Sequence, residues 1–213
     1  MKVLAVNGSP RKTKNTASIL KSMCKGAASK GAQTELAHLY DLKYTGCVSC
    51  FKCKLVGGKS YGRCAVRDEL TPVLVAAHEA EVILLGSPVY LFCETGRMRS
   101  FMERLMFQYH LYTAKKPPLS PRKKATALVY TMNAKEQDLA AYGMDHHMAT
   151  SRMFMERFFG GCDLFICSDT KQMDDYSKYE MDRFDIAAKD KRHVDLFPQE
   201  LRRAFAFGVT LAS

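Results

Sequence analysis

The chain has 213 residues, of which 47% are hydrophobic, and it carries a formal net charge of +10. This length and composition allow one domain with a substantial buried core. No apolar run is long enough to span a bilayer, and no secretory signal precedes the first predicted strand, so we expect a cytoplasmic protein with no membrane partner. The Lys and Arg residues are scattered and form no basic stripe with stacking aromatic residues, so we expect no binding of nucleic acid.

The first apolar run, residues 3–6, shows no alternation and predicts a fully buried parallel strand. The turn that follows, residues 7–16, leads into a helical pattern, and the start of a helix favours an anion. It lacks the glycine patterns of nucleoside triphosphate and dinucleotide sites, which favours a terminal monophosphate. An ordinary turn with Asn15 as the helix N-cap is the alternative. The turn offers hydroxyl, amide and cationic donors: Ser9, Arg11, Lys12, Thr13, Lys14, Asn15 and Thr16.

The rest of the chain alternates between predicted helices and strands. Helical spacing covers residues 16–30, 69–78, 98–106, 148–159 and the tail 200–209, and strand patterns cover residues 34–40, 82–88, 125–132 and 163–168. The basic, proline-rich residues 115–124 predict a solvated loop. Long apolar strands that alternate with helices predict an α/β fold, in which a parallel sheet is covered on both faces and binds ligands beyond the carboxyl ends of its strands. Residues 8–9, 87–90 and 131–133 fall at those ends.

Four motifs occur in order along the first half of the chain. They are G-S-P-R-x-x-x-N-T at residues 8–16, C-x-x-C-x-x-C at 47–53, G-S-P-V-Y at 86–90 and G-x-M-R-x-F-M-E-R at 96–104. With them the chain resembles the flavodoxin-like NAD(P)H-dependent FMN reductases, particularly the branch that includes the iron-sulfur flavoproteins. The resemblance implies a single flavodoxin-like domain over residues 1–213, with a doubly wound five-stranded parallel sheet, a cysteine-rich loop at 46–65 and a helical C-terminal tail.

The resemblance also implies a cofactor and a reaction. Hydride from NAD(P)H would reduce FMN, and the electrons would pass to a flavin, a quinone, another small-molecule acceptor or a redox protein. Orientation of nicotinamide over the flavin supplies much of the rate, so we name no catalytic side chain. We expect a homo-oligomer, a dimer or a tetramer. The implied contacts to the FMN phosphate are Ser9, Arg11, Asn15 and Thr16 with Lys14 close by, and those to the ring are Pro88, Val89, Tyr90, Leu91, Thr131, Met132 and Asn133.

Four cysteines, Cys47, Cys50, Cys53 and Cys64, lie within 18 residues, a density that favours metal ligands or reactive thiols over packing. Resemblance to the iron-sulfur flavoproteins would make them the ligands of a [4Fe-4S] cluster that passes single electrons to FMN. The ten residues between Cys53 and Cys64 exceed the spacing of the family's cluster motif. Cys64 also fits a G-x-C-x-x-x-D-[DE] pattern that occurs in family members without a cluster, so both alternatives stay open. A structural zinc site is less favoured because zinc loops usually pair two C-x-x-C units.

The remaining polar candidates receive no role from the sequence. The six histidines show no spacing tied to a nucleophile or a metal, although the pair His146 and His147 precedes a predicted helix where it can shape an entrance. Two further hypotheses are an electron carrier that uses pyridine nucleotides poorly and a basic binding module without redox chemistry. The other cysteines are predicted to be small buried hydrophobic residues: Cys24, Cys93, Cys162 and Cys167.

Overall fold

The computed structural model describes residues 1–120 and 123–213. Five parallel strands lie in the order β2-β1-β3-β5-β6, the order of a flavodoxin-like sheet. A two-residue strand, β4, pairs antiparallel with the end of β3 and is the sixth strand. The predicted doubly wound parallel sheet is therefore confirmed. The strands are β1 (Lys2–Asn7), β2 (Gln33–His38), β3 (Val82–Tyr90), β4 (Cys93–Glu94), β5 (Ala125–Thr131) and β6 (Asp163–Cys167).

Helices cover both faces of this sheet. The α-helices are α1 (Asn15–Ala28), α2 (Thr71–Glu79), α3 (Gly96–Phe107), α4 (Met144–Phe159), α5 (Ile186–Asp195) and α6 (Phe197–Leu211). Short 3-10 turns occur at Leu39–Asp41, Lys52–Lys54, Glu136–Asp138, Ala140–Tyr142 and Tyr176–Lys178. Within the described ranges, no helix is long and apolar enough to cross a membrane.

The two faces of the sheet form two apolar cores because strand side chains alternate in direction. In β1, Val3 and Ala5 belong to the core beneath α1 and α6. The intervening Leu4 and Val6 belong to the larger core beneath α2, α3 and α4. Burial of both faces explains why β1, β3 and β5 read as continuous apolar runs.

Helices α1 and α6 approach each other closely through two glycines. A Cβ atom added to Gly26 would lie 2.0 Å from the carbonyl oxygen of Phe205, and one added to Gly208 would lie 2.0 Å from that of Met23. Real Cβ atoms do not reach such distances, so this crossing requires glycine at both positions.

Several sequence predictions need correction. Helix α4 begins at Met144, four residues earlier than predicted, and α5 has no counterpart among the predicted helices. Part of the predicted solvated loop, Pro121 and Arg122, lies outside the described residues. At its end Lys124 is buried, because its Nζ donates to the carbonyl oxygens of His78, at 2.9 Å, and Ala80 at the end of α2. A cation at this position binds carbonyl groups at the C-terminal end of α2, where the helix dipole favours positive charge.

Candidate functional site

The carboxyl edge of the sheet is held together by Thr95. Its hydroxyl donates a hydrogen bond to the carbonyl oxygen of Gly8 at 2.7 Å, and its backbone N–H donates to Ser87 Oγ at 3.0 Å. The same hydroxyl oxygen accepts from the backbone N–H of Met98 at 3.2 Å and so caps α3. The loop after β1, the end of β3 and the start of α3 are therefore fixed relative to one another.

The loop after β1 meets the end of β5 through a pair of threonines. The hydroxyls of Thr16 and Thr131 lie 2.7 Å apart, and both residues are buried. Ser9 Oγ accepts from the backbone N–H of Arg11 at 3.1 Å, which tightens the turn. Helix α1 begins at Asn15 with Lys14 at the N-cap and no side-chain hydrogen bond there, so the alternative that made Asn15 the cap is wrong. The start of α1 keeps the uncapped N–H groups that favour an anion.

A segment after β6, residues 171–174, contacts three of the predicted phosphate ligands. Arg11 donates through Nη1 to the carbonyl oxygen of Gln172, and Asn15 donates through Nδ2 to that of Lys171 at 2.8 Å. Lys14 Nζ lies 2.5 Å from a carboxylate oxygen of Asp174. The structure thus gathers the predicted side chains in one place and shows that this segment borders the site. Sequence reasoning could not find it because the contacts join residues about 160 positions apart.

Beside this loop lies an open groove of about 770 Å³ at the carboxyl ends of β3 and β5. This volume lies within the usual range for sites that bind small molecules. Four predicted ring contacts line it, Val89, Leu91, Met132 and Asn133. The amide oxygen of Asn133 is buried and has no hydrogen-bond partner among the described residues. The remaining predicted ring contacts are not among the residues that line the groove: Pro88, Tyr90 and Thr131.

The turn between β3 and β4 forms one rim of the groove. Its two central residues, Leu91 and Phe92, both have positive φ angles, +49° and +62°. Hairpins favour this geometry, but it costs about 1–2 kcal/mol per residue when the side chain is not glycine. Leu91 is 96% exposed, and the ring of Phe92 stacks on that of Tyr142 with centroids 4.2 Å apart. Strain of this kind is concentrated at functional sites in proteins.

An ion pair with a buried lysine lines another part of the groove. Lys189 on α5 is 5% exposed, and its Nζ lies 2.5 Å from a carboxylate oxygen of Asp169 and 3.1 Å from the carbonyl oxygen of Asn133. Asp169 itself has a positive φ of 52°. The pair therefore fixes the backbone of Asn133, whose side chain has the unpaired oxygen, against α5.

A buried carboxylate, Glu94, joins the rim of the groove to α4. It is 5% exposed and accepts hydrogen bonds from Tyr130 Oη at 2.6 Å, Ser151 Oγ at 3.0 Å and His147 Nε2 at 2.5 Å. Burial raises the pKa of Glu94, but the bonds from Tyr130 and His147 outweigh it, so this pKa lies below its ordinary value. The sequence placed His147 before a helix, where it could shape an entrance, but the residue lies within α4. Spacing gives no signal for its contact with Glu94, which is 53 positions away.

The cysteine loop packs against α3, which covers the larger of the two apolar cores. Cys47, Cys50, Cys53 and Cys64 all line one small cavity. Helix α3 and its C-cap residue fix both ends of the loop. Glu103 accepts from the backbone N–H of Cys47 at 3.1 Å, and the C-cap residue Gln108 accepts from that of Cys64 at 2.9 Å. The structure therefore brings together the four cysteines that the sequence singled out.

Arg104 on α3 lies beneath this loop with a fully buried side chain. Its guanidinium donates to Asp68 at 2.5 Å and to the carbonyl oxygens of Val66 at 3.1 Å and Thr45 at 3.3 Å. Burial lowers the pKa of Arg104, but the neighbouring Asp68 and Cys64 side chains raise this pKa above its ordinary value. This one side chain therefore joins the two ends of the loop.

The cysteine loop fits a metal–thiolate centre by its chemistry but is not preassembled. All four residues are free thiols that line one cavity, and thiolates are the ligands of iron–sulfur clusters. The cavity holds about 20 Å³, enough for one water molecule but too little for a cluster. Within the part of the chain that is described, no group of three or more His, Cys, Asp or Glu is arranged to hold a metal ion. A cluster thus requires the loop to open around it.

The other cysteines follow the prediction with one exception. Cys24, Cys162 and Cys167 are buried, as predicted. Cys93 is exposed, so the prediction for it is wrong. It shares the two-residue strand β4 with the buried Glu94, and consecutive strand residues point to opposite sides.

Comparison with known proteins places the chain among flavoproteins. An iron-sulfur flavoprotein of Archaeoglobus fulgidus is 28% identical over 142 residues, which cover 67% of this chain and 60% of that protein. One of Methanocaldococcus jannaschii is 33% identical over 104 residues, which cover 49% of this chain and 51% of that protein. The chain thus spans about half to three-fifths of the length of these relatives.

Solved structures share the fold at low sequence identity. An NAD(P)H:quinone oxidoreductase from Methanothermobacter marburgensis superimposes with a TM-score of 0.65 at 16% identity, over 100% of this chain and 98% of that one. An FMN-dependent NADH-azoreductase from Bacillus anthracis in complex with FMN gives 0.67 at 12% identity, over 100% of both chains.

A family model identifies the family of the chain. Residues 1–157 match the model described as NADPH-dependent FMN reductase. The match includes the loop after β1, the β3–β4 turn and the cysteine loop, and it supports FMN-dependent oxidoreduction. The chain belongs to the NADPH-dependent FMN reductase family.

Proposed function

We propose that the chain is an FMN-dependent oxidoreductase that takes hydride from NADH or NADPH and passes electrons to a flavin, a quinone or another small acceptor. The observation that carries this proposal is the edge of the sheet where a cationic loop at the start of α1 adjoins a groove lined by Val89, Leu91 and Asn133. One end of this site suits a phosphate, and the other suits a flat ring with polar edges.

The loop after β1 would hold the phosphate of FMN. Arg11 and Lys14 supply positive charge, and Ser9, Asn15 and Thr16 supply neutral donors next to the uncapped start of α1. Arg11, Lys14 and Asn15 now contact residues 171–174, so a bound phosphate competes with backbone carbonyls and Asp174 for the same donors. The chemistry of this donor set therefore fits a monophosphate.

The groove would hold the isoalloxazine ring. Val89, Leu91 and Met132 offer apolar surface that excludes water from a ring face. The buried oxygen of Asn133 is an acceptor without a partner among the described residues, and an isoalloxazine ring carries an N–H group that can donate to it. Bound FMN supplies the hydride chemistry, while these residues bind and orient it.

A titration and a reduction experiment test this proposal. We expect the purified chain to bind FMN with quenching of flavin fluorescence, and its visible absorption to bleach on anaerobic addition of NADPH or NADH. Comparison of the two nucleotides at equal concentration identifies the preferred donor. A colourless chain that does not bind FMN contradicts the proposal. A chain that binds FMN but is bleached by neither nucleotide contradicts the NAD(P)H-dependent reaction.

The cysteine cavity favours a second candidate, an iron-sulfur flavoprotein that carries single electrons between redox partners through FMN and a [4Fe-4S] cluster. Its support is the convergence of Cys47, Cys50, Cys53 and Cys64 on one cavity, together with the names of the relatives. Iron, sulfide and zinc contents of anaerobically prepared protein test it. Cys50→Ser should lower the iron content, whereas Cys93→Ser, at an exposed cysteine outside the loop, should not.

We also propose that the chain forms a homodimer or homotetramer through the rim of the groove. Leu91 is almost fully exposed in a strained turn, and Tyr90 beside it and Tyr142, which stacks on Phe92, are exposed as well. A group of exposed apolar and aromatic side chains at a site favours a protein contact. Sedimentation velocity should show an oligomer for the wild-type chain and a shift towards monomer for Leu91→Glu. A monomeric wild-type chain contradicts this assembly.

A further inference from the structure

The cavity formed by the cysteine loop contains an unusual polar group. Arg104 is 1% exposed, and its Nε has no hydrogen-bond partner among the described residues. The remaining nitrogens of the guanidinium are bonded to Asp68, Val66 and Thr45. A buried donor without an acceptor is rare in folded proteins and often indicates an unseen partner such as a water molecule or an ion.

Arg104 lines the same cavity as Cys47, Cys50, Cys53 and Cys64. Among the described residues that line this cavity, it is the one with a charged side chain. When all four cysteines bind a metal centre, they must be deprotonated, which places four negative charges beside one buried guanidinium. Thiolate and sulfide sulfurs accept hydrogen bonds, so such a centre would also satisfy the unpaired Nε–H.

We infer that Arg104 is the buried counter-ion of a metal–thiolate centre in the cysteine loop, that its Nε–H donates to a sulfur of that centre, and that it raises the centre's reduction potential. This inference rests on the proposed iron–sulfur form of the protein. Reduction adds negative charge to the centre, so a fixed positive charge and a hydrogen bond to sulfur stabilise the reduced form.

The local charges determine the expected direction of change. Arg104 pairs with Asp68, whose side chain is 18% exposed. Arg104→Gln removes the positive charge and leaves the Asp68 carboxylate uncompensated near the centre. Both effects favour the oxidised form, so the potential must become more negative. Arg104→Lys keeps the charge but lacks the planar Nε–H group, so its potential should fall between those of the wild type and Arg104→Gln.

The test uses four versions of the full chain: wild type, Arg104→Gln, Arg104→Lys and Arg99→Gln. Arg99 lies on the same helix but is exposed, so it controls for loss of a charge from α3. Each protein is reconstituted anaerobically with ferrous iron and sulfide, and iron and sulfide are determined per chain. Potentials are then measured by redox titration followed by electron paramagnetic resonance of the reduced cluster.

We expect equal iron contents and equal potentials for the wild type and Arg99→Gln. In Arg104→Gln the equilibrium constant for one-electron reduction should fall at least tenfold, which corresponds to about 59 mV. A fully loaded Arg104→Gln protein with the wild-type potential overturns the inference and leaves the cluster in place. Absence of iron from every version overturns the cluster itself. Where Arg104→Gln does not fold, as judged by circular dichroism, Arg104→Lys decides: a negative shift supports the inference, and an unchanged potential contradicts it.

Discussion

The hydroxyl of Thr95 donates a 2.7 Å hydrogen bond to the carbonyl oxygen of Gly8, which joins the start of α3 to the loop after β1. Thr95→Ala removes this bond and the cap of α3 together, and leaves a buried carbonyl without its partner. We expect a loss of about 1–3 kcal/mol in the free energy of unfolding, measured in urea. Thr95→Ser retains the hydroxyl and should lose much less. Equal losses in the two variants would show that the hydroxyl is not responsible.

Arg11 tests the proposed phosphate site. Its guanidinium borders the start of α1, and a charge-assisted hydrogen bond contributes about 1.5–3 kcal/mol. We expect Arg11→Gln to weaken FMN binding about tenfold to a hundredfold, measured by quenching of flavin fluorescence. The neighbouring Lys12 pairs with Asp41 at 2.6 Å, so Lys12→Gln is the matched control and should have little effect. An equal effect of both variants would indicate that the phosphate is attracted by the overall positive charge of the loop and not by a defined contact with Arg11.

The lowered pKa of Glu94 leads us to expect that the free energy of unfolding depends on pH. Burial raises its pKa, but the hydrogen bonds from Tyr130 and His147 prevail and hold this pKa below its ordinary value. The folded carboxylate therefore binds a proton less readily than the unfolded one, whose pKa is about 4.3. Its stabilisation is fully present above that pH and is lost as the pH falls through the folded pKa.

We therefore expect the free energy of unfolding of the wild type to decrease more steeply on acidification, from neutral pH to below the ordinary pKa of a glutamate, than that of Glu94→Gln. At neutral pH the variant should be less stable by about 1–3 kcal/mol, because an amide leaves one buried donor unpaired. Urea unfolding at several pH values measures both effects. Parallel curves for the two proteins would refute the pKa assignment.

Thiol reactivity separates the cysteines by burial. The thiolate is the reactive form, and burial raises the pKa of Cys24 to about 11 and that of Cys167 to about 12. Near pH 8 only about one part in a thousand of Cys24 is ionised in the folded chain. Iodoacetamide should therefore label the exposed Cys50 and Cys93 first, and Cys24 and Cys167 only after unfolding in urea. Peptide mapping by mass spectrometry gives the order, and early labelling of Cys167 would contradict the described packing.

The sequence predicted those elements and site residues that depend on local patterns of neighbouring residues. Strand β1, its turn and α1 follow one another directly, so apolar runs and donor-rich turns were sufficient to place Ser9, Asn15 and Thr16 at the carboxyl edge. Helix α5 was missed for a physical reason. Its buried residue is Lys189, which is held by an ion pair, and a search for apolar spacing cannot detect such a helix. The contact between Glu94 and His147 was missed because it joins distant parts of the chain.

The close crossing of α1 and α6 also affects when this part of the protein can fold during synthesis. Gly26 and Gly208, which permit the close contact, are about 180 residues apart in the chain. Helix α1 leaves the ribosome long before α6 exists, so the face of α1 around Met23 and Gly26 is not yet covered by α6 at that stage. Contacts between such distant residues form slowly, and the uncovered face is open to chaperones and to aggregation. The core beneath α1 and α6 is therefore completed late in the folding of each newly synthesised chain.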